Sequence, residues 1–189
     1  MKIALFLSCV LGGSLLYSYP TKESSTVLTY KTSKAKKHAS LPIAPVRIVI
    51  DKSNYELYVY DSKGWYATYP VVFGNSSLAD KRMEGDRCTP EGNFRITAKR
   101  PHGKWSRFMA IDYPTHENLE KFKQLVQRGE IPRSAKPAGG IGIHGTWPHE
   151  DFAIDRYNNW TNGCIALKRE DVEELYSYIG VGTPVTIRR

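Results

Sequence analysis

Arg47-Ile48-Val49-Ile50-Asp51, then Leu57-Tyr58-Val59-Tyr60, the turn Asp61-Ser62-Lys63-Gly64 and the return at 65–73 carry the reading of the fold. In the first run Val46, Ile48 and Ile50 alternate with Arg47, Val49 and Asp51, the period of two that sends successive side chains to opposite faces of a strand. β-Branched and aromatic residues fill both arms around the turn, which predicts a hairpin. Working outward, residues 94–98 and 107–111 read as further strands. Gly142-Ile143-His144 reads as the end of a buried strand, and Pro184-Val185-Thr186-Ile187 closes the set. Helices are few. Thr115 is placed to cap one that runs through Asn118 to residue 127, with Leu119, Phe122 and Val126 on one face and Gly129 and Pro132 ending it. Val172, Leu175, Tyr176 and Ile179 form a second apolar stripe, stopped at Gly180. Short strands outnumber helices and no internal repeat is visible, so the expectation is a mainly β chain, a β-sandwich with two peripheral helices.

At 189 residues the chain suits one domain with a full core rather than two. The N-terminus departs from that composition. Lys2 precedes an apolar run from Ile3 to Leu16, ended by Tyr17-Ser18-Tyr19-Pro20, the layout of a secretory signal over residues 1–18. The run is shorter than the roughly 20 residues a spanning helix needs, so no stable membrane span is expected. Cys9 follows Leu7-Ser8 as in a lipoprotein box, but the stretch before it is short for one. Residues 19–44 read as a basic Ser/Thr-rich linker, carrying Lys31, Lys34, Lys36 and Lys37, with no helical or strand period. The formal charge of +8 favours an anionic surface, such as wall polymers or lipid head groups. No aromatic-basic platform or groove-reading motif appears, and an exported chain does not meet nucleic acid.

The chemistry concentrates in His144-Gly145-Thr146 and, after a loop, Thr161-Asn162-Gly163-Cys164-Ile165-Ala166-Leu167. A thiol is a useful nucleophile as thiolate, and an imidazole is the usual partner that makes one near neutral pH. Cys164 is the candidate nucleophile and His144 the candidate base. Gly163 leaves room beside the thiol for a substrate carbonyl. Backbone amides around Gly163 and Cys164 are candidate oxyanion donors, and Thr161 can lend a hydroxyl to the loop. Trp147, Trp160 and Asn162 are candidates to line a substrate cleft. Removal of the signal leaves Cys88 and Cys164, for which a disulfide is the structural alternative; Cys88 otherwise reads as a small, partly buried loop residue. His102 and His149 read as solvated loop histidines. No metal site and no cofactor are expected, since neither a Cys-x-x-Cys pair nor a His-Glu-x-x-His helix is present.

The spacing of His144 from Thr161-Asn162-Gly163-Cys164 resembles the signature of the L,D-transpeptidase catalytic domain, the YkuD-type family of bacterial cell-wall enzymes. Gly85-Asp86-Arg87-Cys88-Thr89-Pro90-Glu91-Gly92-Asn93-Phe94 resembles the family's upstream segment, and 47–74 its opening strands. The resemblance covers 46–187, so residues 45–189 are taken as the catalytic domain. Thr-Asn-Gly-Cys stands here in place of Ser-His-Gly-Cys, and Ala166 stands where Arg or Asn is frequent. The family likeness implies two mixed sheets with the cysteine in a cleft, a backbone carbonyl near Gly145 orienting His144, and peptidoglycan stem peptides as donor and acceptor. It also implies a thioester at Cys164, location in the periplasm or cell wall, and inhibition by carbapenem-type β-lactams. Resolution of the thioester by an amine gives cross-linking or attachment to the wall, resolution by water gives a peptidase or amidase, and a non-catalytic wall-binding domain is the third possibility.

Overall fold

A computed structural model describes residues 34–189; the signal read at 1–18, Cys9 and the first part of the 19–44 segment lie outside the described residues. Nine strands, β1 (Lys36–Lys37), β2 (Arg47–Asp51), β3 (Glu56–Asp61), β4 (Gly64–Pro70), β5 (Gly92–His102), β6 (Ser106–Ile111), β7 (Gly142–Gly145), β8 (Ile165–Leu167) and β9 (Pro184–Arg188), outnumber three helices, α1 (His116–Gln127), α2 (Phe152–Asp155) and α3 (Arg169–Tyr178). The alternation read in the opening run is realised: Ile48, Ile50, Leu57 and Val59 are buried, while Arg47 faces out. β2, β3 and β4 form an antiparallel meander. Its turn is closed by the Asp61 carboxylate, which accepts the amides of Lys63 (2.8 Å) and Ile43 (3.0 Å).

The mainly β expectation holds. The strands run in the order β1-β4-β3-β2-β9-β5-β6-β7-β8, a continuous mixed ladder made of two mixed sheets that share β5. The length of β5 allows this. Its first residues pair with β9 (Phe94 with Val185) and its later ones with β6 (Lys99 with Met109), with a bulge between Ile96 and Ala98. Bulges bend a strand, and here both halves of the ladder share one apolar core, from Ile48 and Val59 through Ile96 to Ile143, Ile165 and Leu175 of α3.

The linker expectation also changes at its C-terminal end. Lys36–Lys37 adds as an edge strand on β4, Lys36 opposite Thr68, and Lys37 pairs with Glu174 of α3 at 2.6 Å. Two residues are too few for a period to show in sequence, and lysine on an edge discourages further strand pairing. The two expected helices are α1 and α3. α1 is capped by Thr115, whose side chain and Asn118 form a reciprocal capping box. None of its residues is buried, and its apolar face meets Tyr113, Pro114 and Ala138 of the flanking loops across a narrow cleft. α2 is a single turn that the sequence reading did not place. No helix of the described residues is long and apolar enough to cross a membrane.

Candidate active site

β7 lies between β6 and β8, and all four of its residues are buried. Its glycines answer to close packing. A Cβ on Gly142 would fall 2.6 Å from the Met109 carbonyl oxygen, and one on Gly145 would fall 2.7 Å from that of Trp105. The β7–β8 register is parallel, with Ile143 beside Ile165 and His144 beside Ala166. Alternation does the rest. Ile143 and Ile165 point into the core, so His144 and Ala166 share the other face, and Cys164, two residues before Ala166, has its parity. His144 and Cys164 therefore sit on one face of adjacent strands, diagonally related. The Cys164 Sγ approaches the Gly140 carbonyl oxygen at 3.7 Å.

The imidazole is fixed from all sides. Its Nδ1 is 2.8 Å from the Gly145 carbonyl oxygen; a carbonyl only accepts, so Nδ1 carries the hydrogen and Nε2 keeps its lone pair. The Trp105 ring stacks on it at 4.3 Å, and Trp160 meets it edge-on at 5.6 Å. His102 stacks on the far side of Trp105 at 4.3 Å, its Nδ1 accepting the amides of Lys104 and Trp105. The reading of His102 as a solvated loop residue is thus corrected: it ends β5 and clamps the hairpin tip onto the His144 wall. His149 does lie in an exposed loop.

Burial governs the charges. Desolvation pushes the His144 imidazole down to about 4, against the Gly145 hydrogen bond, which favours its protonated form. Desolvation pushes the Cys164 thiol up, opposed by the Gly142 amide and by Lys81. The resting pair is a neutral thiol beside a neutral imidazole.

The loop before Cys164 is tied into the fold. Thr161 Oγ1 accepts the Gly163 amide (3.1 Å) and donates to the Cys164 carbonyl oxygen (2.7 Å), closing the turn on itself. The Gly163 amide is therefore already engaged. Gly163 has φ +121, and a Cβ there would meet the Cys88 carbonyl oxygen at 2.5 Å and Lys81 Nζ at 3.2 Å. Its smallness answers to the protein's own backbone, not to an incoming carbonyl as expected from sequence. The Phe73 carbonyl accepts the amides of Trp160 and Thr161. Val72 pairs with Ala166 on the side of β8 away from β7. Ala166 is wholly buried with Val72 and Ile154, in a small apolar cluster.

Of the sequence candidates, His144, Gly145, Thr161, Gly163, Cys164 and Trp160 come together. Asn162 is exposed, with its carbonyl oxygen facing Lys81 Nζ at 3.4 Å. Trp147 stands further out, under the Lys104 ammonium at 4.8 Å. Cys88 is buried and, like Cys164, a free thiol, so the disulfide alternative is not realised. Sequence reasoning missed Trp105, Lys81 and Arg87. Trp105 reaches His144 across the β6–β7 pairing, and Lys81 and Arg87 reach the loop from the segment before β5. Arg87 Nε donates to the Thr161 carbonyl oxygen at 3.4 Å.

Comparison with known proteins identifies the family and the fold. Residues 45–187 match the family described as YkuD, L,D-transpeptidase catalytic domain. The chain is 28% identical over 165 residues to the probable L,D-transpeptidase YcfS of Escherichia coli, covering 78% of this chain and 45% of that protein. It is 30% identical over 151 residues to the putative L,D-transpeptidase YqjB of Bacillus subtilis, covering 78% of this chain and 73% of the relative. The chain thus spans less than half the length of YcfS. Its fold is shared with the helical cell shape determining protein Pgp2 of Campylobacter jejuni, at a TM-score of 0.55 and 23% identity over 76% of this chain and 47% of Pgp2. A family match over most of the chain, on a ladder that sets a histidine and a cysteine on one face of adjacent strands, means that this chain belongs to the L,D-transpeptidase catalytic domain family, YkuD.

Proposed function

We propose that this protein is an exported cysteine acyltransferase acting on peptidoglycan stem peptides, with Cys164 as nucleophile and His144 as base. The observation that carries the reading is the imidazole whose Nδ1 is committed to Gly145, which leaves the Nε2 lone pair as its basic site, on a histidine that shares one face of adjacent strands with Cys164. Neither charged form is favoured alone in this desolvated site, so the proton moves as the reaction proceeds. Nε2 takes the thiol proton while Sγ attacks the amide carbonyl carbon of the donor stem. With the Gly163 amide held by Thr161, the Cys164 amide is the candidate donor to the oxyanion. Collapse breaks the C–N bond, the leaving amine takes the proton from Nε2, and a thioester remains. An acceptor amine then gives its proton to Nε2 and attacks the thioester carbon, and the thiol leaves with that proton.

Family membership and the naming of the relatives as L,D-transpeptidases support the substrate class, and the apolar run at the N-terminus supports export to the periplasm or wall. Transfer to an amine is favoured over hydrolysis because Asn162 cannot take a proton, leaving His144 to serve both half-reactions. A deprotonated amine needs less help from a single base than water does. The experiment supplies a tetrapeptide stem with and without an amine acceptor and follows products by mass spectrometry. Acceptor-bearing product should rise with acceptor concentration; free tripeptide at every acceptor concentration would replace the transferase with the hydrolase, and no turnover by a protein with a free Cys164 thiol would favour a binding domain.

A further inference from the structure

Lys81 lies in the irregular segment between β4 and β5, far in sequence from the His144 and Cys164 stretches, and its side chain is only 2% exposed. Its Nζ makes three contacts: Asp86 Oδ1 at 2.8 Å, the Cys88 carbonyl oxygen at 3.2 Å and the Asn162 carbonyl oxygen at 3.4 Å. These use all three ammonium hydrogens. The third contact belongs to the nucleophile loop, and a Cβ on Gly163 would come within 3.2 Å of the same nitrogen. Asp86 is held on its other side. Its Oδ2 accepts the amides of Arg82 (2.7 Å) and Met83 (3.0 Å) and its Oδ1 that of Cys88 (2.9 Å). The pair is thus oriented, carboxylate toward the 82–88 turn and ammonium toward Asn162 and Gly163.

Folding alone gives little reason for this charge, because an apolar pair of similar volume often serves as well as a buried ion pair. What a buried ammonium adds is a positive end anchored by its own counter-ion and aimed at the loop that ends in Cys164. We propose that Lys81 is the positioning residue of the nucleophile loop, its ammonium pinning Asn162 and Gly163 against the 86–88 segment and lending positive potential to the thiolate that Cys164 must form. The inference rests on Cys164 being the nucleophile. The direction is consistent with the thiol itself, which burial pushes up while the Gly142 amide and the field of Lys81 pull it down. Among the described residues, the other titratable or charged groups around the loop are Asp86, Arg87 and Cys88 from the preceding segment and His144 from β7. His144 is neutral above about pH 5, since its imidazole is depressed to about 4, so it does not titrate across the range in which the thiol does.

The test is the pH dependence of carbamidomethylation of Cys164 by iodoacetamide, followed on the Cys164 peptide by mass spectrometry so that other thiols do not interfere. Lys81→Met removes charge and donors, Lys81→Gln keeps donors without charge, and Lys81→Arg keeps charge. Both neutral variants should move the midpoint to higher pH and slow alkylation at pH 7 on the order of tenfold, the equivalent of about one pKa unit. Lys81→Arg should keep the midpoint near that of the unsubstituted protein. If the Met variant does not fold, the Gln and Arg pair decides. A folded Lys81→Gln protein with an unmoved midpoint, even if less stable, would reduce Lys81 to a structural ion pair, and an equal shift in Lys81→Arg would overturn the role of charge. The readout needs no acyl transfer. A protein without transfer activity but with a Lys81-dependent midpoint would sink the transferase reading and leave this inference standing.

Discussion

Neutrality of His144 in the folded state can be tested through stability. The imidazole titrates at about 4 in the fold, against the 6.5 of an unburied histidine. The unfolded chain therefore binds more protons than the native state between those values, and stability rises with pH through that window. The depressed value contributes nothing above the unfolded pKa in excess of the neutral ring's own packing, and acid removes stability as pH falls from about 6.5 toward 4. With 1.36 kcal/mol per pKa unit, the loss between pH 7 and pH 4.5 is about 2 kcal/mol. Asp171 works in the opposite sense, because burial raises its carboxyl to about 6 and acid favours the fold there. A single acid titration of stability would mix the two, so the comparison must be between proteins. His144→Gln keeps a polar side chain of similar volume that does not titrate. Urea unfolding of both proteins at pH 7 and pH 4.5 should show the Gln variant less stable at pH 7, with the gap narrowed by about 2 kcal/mol at pH 4.5. That corresponds to a change of roughly 1 M in the difference between midpoints. A gap that stays constant or widens would mean that the imidazole is solvated and already titrates normally, and the account of a neutral resting base would fail.

Three further outcomes follow from the site. Cys164→Ala should abolish turnover with an unchanged circular dichroism spectrum while Cys88→Ala retains most activity, and equal loss in both would return the disulfide reading. Gly74→Ala should destabilise by several kcal/mol, since its Cβ would lie 2.2 Å from the Arg87 and 2.5 Å from the Thr161 carbonyl oxygens; a thermal midpoint within a degree or two of the original would show that the 73–74 and 161–163 segments are not tightly apposed. Incubation with a carbapenem-type β-lactam should add one drug mass to the intact protein and none to Cys164→Ala, and an unmodified protein with a free thiol would argue against an open acyl-accepting site.

Local pattern sufficed for much of this molecule. The hairpin of β3 and β4 announces itself because strand alternation and turn chemistry are properties of a few adjacent residues. So does the Thr115–Asn118 capping box. His144 and Cys164 stood out as candidates for the same reason, being carried by short contiguous runs. What required the tertiary structure was anything set by register or by approach across the chain. The two mixed sheets are joined into one ladder because β5 is long enough to serve both halves, and no window shorter than that strand contains the information. Only the parallel pairing of β7 with β8 puts His144 and Cys164 on one face. Trp105 and Lys81 have no local pattern that marks them, and the upstream run that holds Arg87 does not say which loop its guanidinium meets, since such side chains in loops look the same whether they face water or the Cys164 loop. The depressed imidazole and the raised thiol belong to tertiary structure alone, because desolvation depends on what the rest of the fold packs around a side chain.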